Sequence, residues 1–158
     1  LKIQLEENDK EGLSLVYGNM GSVYHKMENY KEALNADFKC LKICEEIGDK
    51  EGVGFCYNNI GSIYEVQKEY SKALMYQLKS LKIIEETGNK VLTAVTSASI
   101  GNLYKAQGKF ENALEYLTRA LEVFREIGNK DGLKDVYQFL AELYQKQNEF
   151  QKALEYFT

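Results

Sequence analysis

The chain has no proline, no tryptophan, a single histidine and only three cysteines among 158 residues. Without proline, every helix is free of its strongest breaker. Three cysteines, Cys40, Cys44 and Cys56, are an odd number clustered in one stretch, which argues against a disulfide-built scaffold and favours a reducing, cytoplasmic setting. Neither sign of charge dominates: 20 basic and 24 acidic residues are well mixed, with a net charge of −4. That balance leaves no footprint for nucleic acid or an anionic membrane. Apolar runs stop after a few residues, as at Leu15-Val16, so no segment reads as a membrane span, and no signal-peptide pattern opens the chain. One histidine, no glycine-rich phosphate loop, no nucleophile elbow and no metal-ligand spacing point away from an enzyme and from a bound cofactor.

What is present repeats. Gly21, Gly61 and Gly101 are 40 residues apart (61 − 21, 101 − 61), with Ala141 in the fourth place. Tyr24, Tyr64, Tyr104 and Tyr144 keep the interval, as do Ala33, Ala73, Ala113 and Ala153, and the rings Tyr30, Tyr70, Phe110 and Phe150. A fixed period in the range of about 20–50 residues marks a stacked-repeat architecture. Such stacks expose long surfaces suited to binding.

One repeat shows how the unit folds. Val53, Cys56, Tyr57, Ile60, Ile63 and Tyr64 form a helical stripe, and Tyr70, Ala73, Leu74, Leu78, Leu81 and Ile84 form a second. The polar Gln67-Lys68-Glu69 lies between them. This predicts a helical hairpin, helix A over 50–66 and helix B over 70–87. The joints Gly48-Asp49, Gly88-Asn89 and Gly128-Asn129 pair a left-handed C-terminal glycine with an N-capping Asp or Asn. At the first joint Asn8 stands for the glycine. A mid-helix glycine costs about 1 kcal/mol relative to alanine. Its recurrence predicts close approach of helix B, whose Ala33, Ala73 and Ala113 recur in step.

The ends suggest one stack of repeats cut at both sides. Leu1-Lys2-Ile3 matches Leu41-Lys42-Ile43, so residues 1–8 read as the end of a preceding helix B. Four copies follow, 9–48, 49–88, 89–128 and an incomplete 129–158, all taken as a single domain. Tyr57, Ile60-Gly61, Tyr64, Tyr70, Ala73 and Leu81 resemble the signature of the tetratricopeptide repeat family. That family's usual period is about 34 residues. The longer unit here is similar to the Leu-Gly-Asn-repeat scaffold, to kinesin light chain and to helical regions of bacterial signalling proteins. The resemblance implies an all-α, right-handed superhelical solenoid of antiparallel helix pairs, with helix A lining a concave groove that holds a peptide or partner segment.

Position by position, that groove would comprise Leu15, Phe55 and Val95 in one row, Asn19, Asn59 and Ser99 in the next, and Ser22, Ser62 and Asn102 beside them. Asn58 and Gln138 flank these rows. An asparagine amide both donates and accepts, so it can pair with a peptide backbone. The ordinary alternative is a solvated helix face. His25 reads as a lone exposed histidine. Cys40 and Cys44, on apolar helix positions, read as packing in preference to a metal pair. Gly18, Asn19, Ser22, Asn58, Asn59 and Ala98 stand where some relatives carry a basic carboxylate clamp, so that mode is not expected. In the third copy, Thr93, Thr96 and Ser97 replace apolar residues, which predicts looser packing. The functional expectation is a non-catalytic interaction module for a protein or peptide. The alternative is a sensory or self-associating region of a larger signalling protein, with a bare spacer as a weaker third reading.

Overall fold

The computed structural model describes the backbone of residues 2–155, and side chains from 9 to 155 except 150 and 154. Eight helices follow one another: α1 (Lys2–Lys26), α2 (Tyr30–Ile47), α3 (Lys50–Val66), α4 (Tyr70–Thr87), α5 (Lys90–Ala106), α6 (Phe110–Glu126), α7 (Lys130–Lys146) and α8 (Phe150–Glu155). There is no strand among the described residues. The chain divides at a repeat joint into two compact units, Leu1–Thr87 and Gly88–Thr158. Division at a joint follows from repeat architecture, in which each pair touches mainly its neighbours.

Sequence signals act locally as expected. Gly48, Gly88 and Gly128 take φ of 73°, 74° and 69°. Directly after them, Asp49, Asn89 and Asn129 cap α3, α5 and α7 by accepting from the amides of Gly52 (2.9 Å), Leu92 (3.0 Å) and Gly132 (2.9 Å). Within each copy, a lysine at the start of helix A meets a glutamate at the end of helix B. The pairs are Lys10–Glu46 and Lys50–Glu86 at 2.8 Å and Lys90–Glu126 at 2.5 Å. Only an antiparallel hairpin brings those ends together. The pairs are exposed, so each contributes at most about 1 kcal/mol and mainly fixes register.

In the first unit, Cys40, Leu41, Cys44, Val53, Cys56 and Ile60 form the core, edged by tyrosines. Tyr64 stacks on Tyr76 with ring centres 5.5 Å apart. In the second unit, Ala94, Leu117, Leu121, Phe124, Val136, Leu140 and Leu143 play the same part. Thr96 and Ser97 are fully buried there, and the Ser97 hydroxyl donates to the Thr93 carbonyl at 2.8 Å, so the polar third copy still packs inward.

Two expectations need correction. No joint forms at Asn8-Asp9: α1 runs unbroken through it. Asn is a weaker left-handed terminator than Gly, and an uninterrupted helix keeps its hydrogen-bond ladder. Second, the side chain crowding each mid-helix glycine lies one turn beyond the alanine, with the Ala113 carbonyl also 3.2 Å from a Cβ on Gly101. A Cβ on Gly61 would sit 2.9 Å from Gln77 Cγ, and one on Gly101 would sit 2.7 Å from Leu117 Cγ. On Gly21 it would sit 2.8 Å from the Asp37 carboxyl carbon. Close approach of the helices is real, and its register is 37, 77 and 117.

Helix α1 also leaves a face uncovered. Leu13, Val16, Met20 and Val23 are 38–54% exposed, whereas their register partners Val53, Cys56, Ile60 and Ile63 in α3 are at most 6% exposed. In α3 that face packs on α2.

Candidate functional site

The helix-A face of the first unit carries a cavity of about 230 Å³, many times the ~10–15 Å³ that admits one water. Helix α1 supplies Gly21, Ser22, His25 and Lys26, α2 supplies Asp37, and α3 supplies Asn59, Ser62 and Ile63. Ser22, Asn59 and Ser62 were expected on this wall. Asp37 and His25 were not.

Asp37 is the chemical centre. It is 1% exposed. Its Oδ1 accepts from Asn59 Nδ2 at 3.4 Å, and its Oδ2 is buried without a hydrogen-bond partner. Burial pushes the carboxyl up to about 6, against the smaller downward pull of Asn59. His25 Nε2 is likewise buried without a partner, and its ring meets Tyr30 edge-on at 5.8 Å. The expectation of a merely exposed histidine is therefore wrong: one turn from Gly21, the ring folds back against the start of α2. The glycine makes the arrangement fit, since a side chain at 21 would occupy the place of the Asp37 carboxylate.

The other copies show what this position does elsewhere. Gln77, fully buried, accepts from Asn58 Nδ2 at 3.0 Å and donates to the Asn58 carbonyl at 3.2 Å. Asn58, expected beside the groove, thus directs its amide to its own helix B. Leu117, also fully buried, belongs to the apolar core of the second unit. An apolar side chain, a satisfied amide and a half-satisfied carboxylate share one register.

The remaining expected residues are dispersed. Leu15, Asn19 and Phe55 are exposed on helix-A positions of the first unit. Ser22 and Ser62 donate back to the carbonyls of Gly18 (3.1 Å) and Asn58 (3.0 Å). In the second unit, Val95 is exposed, Asn102 is half-buried and Ser99 donates to the Val95 carbonyl at 3.2 Å. Gln138 donates to Glu142 at 3.0 Å. Glu142 in turn holds the buried Lys105 at 2.5 Å, and that ammonium lies 4.8 Å from the Phe139 ring centre. The buried cation of the second unit has its carboxylate, whereas Asp37 makes no ion pair among the described residues.

The sulfurs of Cys40, Cys44 and Cys56 lie within 4.8 Å of one another. Burial pushes the Cys44 thiol up to about 12, while a hydrogen bond from Cys56 pulls Cys40 down. Cys40 donates to the Ser14 carbonyl at 3.2 Å, and its register partner Ser80 donates to the Gly54 carbonyl at 2.8 Å. The shared role of that position is to tie helix B to helix A, which accounts for Cys40 through packing.

The tetratricopeptide repeat model matches residues 12–86 and 92–158, nearly the whole length. The chain belongs to the tetratricopeptide repeat family. This family is generally a non-catalytic interaction scaffold. Among solved structures, this tetratricopeptide chain is similar to the apo form of RapI, with a TM-score of 0.86 and 26% identity over 92% of this chain and 53% of that one. It is also similar to a signal-transduction ATPase with numerous domains and a tetratricopeptide repeat sensor from Pyrococcus horikoshii, at a TM-score of 0.79 and 25% identity over 90% of this chain and 22% of that one. BtubC (BKLC) from P. vanneervenii shares the fold, at a TM-score of 0.83 and 21% identity over 93% of this chain and 61% of that one. The tetratricopeptide chain thus spans between about a fifth and three-fifths of these relatives. No curated protein sequence matches it. No described helix is long and apolar enough to cross a membrane.

Proposed function

We propose that the chain is a non-catalytic interaction module that binds a protein or peptide segment across the helix-A face of its first unit. The observation that carries this reading is the cavity at Asp37, where a buried carboxylate oxygen lacks a partner. Leaving such a group unsatisfied is costly, and a donor brought by a bound segment would satisfy it. Exposed Asn19, Leu15 and Phe55 beside the cavity offer amide and apolar contacts of the kind used in peptide grooves. The packed free thiols suit a reducing, cytoplasmic setting.

Peptides selected from a displayed random library supply the test. Asn19→Ala with Asn59→Ala is expected to weaken a selected peptide by about tenfold or more, and Lys72→Ala, on exposed helix B, to leave it unchanged. Equal effects would remove the site from this face.

The likeness to a protein with a tetratricopeptide repeat sensor favours a second reading, a self-associating or sensory region of a larger signalling protein. Repeats of this family form the sensor of the P. horikoshii ATPase. Sedimentation of Val16→Lys beside the parent tests the self-associating form: a parent oligomer dissolved by the lysine supports it, and a monomeric parent ends it.

A further inference from the structure

We propose that the cavity of the first unit seats a cationic side chain, arginine or lysine, of the bound segment, with Asp37 as its counter-charge. This rests on the binding face proposed above and names the chemistry that the face selects.

Three independent observations converge. The first is Asp37 itself, which lines the cavity, is 1% exposed and keeps one carboxylate oxygen without a hydrogen-bond partner. An ammonium or guanidinium would give it the charge-assisted bond that the chain itself withholds. The second is the character of the walls. The Ser22 and Ser62 hydroxyl protons are committed to helix carbonyls, so their oxygens have only acceptor capacity to offer. Beside the donors Asn59 and Lys26, these hydroxyl oxygens and the Asp37 carboxylate suit a ligand that only donates, and guanidinium carries five N–H donors and no acceptor.

The third is the comparison between copies. At the same register, Leu117 packs as an apolar side chain and Gln77 closes both its bonds on Asn58. The fold therefore does not need a carboxylate there. Position 58 is matched in the first copy by Gly18, which has no amide to close on Asp37. Glycine at 18 leaves the carboxylate open, and glycine at 21 gives it room. In the second unit the buried charge, Lys105, is already neutralised by Glu142. The cation preference thus belongs to the first unit.

The test titrates the whole chain with n-propylguanidine and, as a neutral isostere, n-propylurea, following the Asn59 side-chain amide and the backbone amides of Ser22, His25 and Asp37 by NMR. The expected result is saturable binding of the guanidine at these residues, with the urea and the Asp37→Asn variant each weaker by about tenfold or more. Lys26→Met, which removes the lysine lining the cavity, should tighten the guanidine. Equal binding of urea and guanidine, or a guanidine that ignores Asp37→Asn or Asp37→Leu, would overturn the proposal. The two proposals fail separately. Selected peptides that depend on Asn19 and Asn59 but carry no excess of arginine or lysine, and ignore Asp37→Asn, would leave the face standing and remove the cation site. Peptides indifferent to Asn19 and Asn59, alongside guanidine binding at Asp37, would remove the face and leave a cation pocket.

Discussion

Replacing Asp37 with asparagine should make the unliganded protein more stable at neutral pH, although it removes the residue at the centre of the site. Burial raises its carboxyl from the ordinary value of 3.8 to about 6, a difference of about 2 units. At 1.36 kcal/mol per unit, the ionised carboxylate costs the folded state up to about 3 kcal/mol. Water entering the cavity screens part of that, so ~1–2 kcal/mol is the working figure. The folded form holds the proton more tightly than the unfolded form. Below pH 3.8 both forms are protonated and the penalty is absent. It grows as pH rises toward about 6 and is complete above it. His25 and Lys26 from α1 line the cavity with Asp37, and Cys40 from its own helix and Cys56 from α3 interact with it electrostatically. Asparagine keeps the shape, and its oxygen still accepts from Asn59. Thermal melts followed by circular dichroism from pH 4 to 7.5 should show the two proteins converging at the acid end. The variant should melt higher by ~2–8 °C at neutral pH. A gap independent of pH, or a variant less stable at pH 7, would refute a buried, penalised carboxylate.

Two further substitutions test the packing. Gly61→Leu drives a side chain into Gln77, whose Cγ already lies 2.9 Å from the Cβ position, and should lower stability by about 1–3 kcal/mol in a denaturant titration. Glu142→Ala strands the buried Lys105 ammonium and should cost about 1–3 kcal/mol, with much of the loss restored when Lys105→Met is added; no recovery in the double variant would mean the pair is not what holds that wall.

Most of the helical frame is legible in the sequence. The limits of α3 and α4 fall at 50–66 and 70–87, because apolar stripes, Gly-Asp joints and the polar Gln67-Lys68-Glu69 all agree there. The Asn8 joint misleads because its local signal resembles the others while the left-handed glycine that enforces a stop is missing. The site is less legible. Helical spacing places Ser22, Asn59 and Ser62 on the right wall, but it cannot show that Asn58 turns to Gln77. Nor can it show that His25 folds inward. Asp37 escapes notice because it lies on helix B, one turn past Ala33, outside the rows assigned to the groove. Alignment of 37, 77 and 117 would have marked it, since a carboxylate there breaks a series of Gln and Leu. Its lack of a partner requires the three-dimensional structure, because Asn59 is 22 residues away.

The most direct test is chemical-shift mapping of the isotope-labelled chain with a peptide selected from the random library. The account predicts shifts concentrated at Asn19, Ser22, His25, Asp37, Asn59 and Ser62. Shifts gathered instead around Tyr76 and Lys79 on α4, with the cavity residues unmoved, would contradict it.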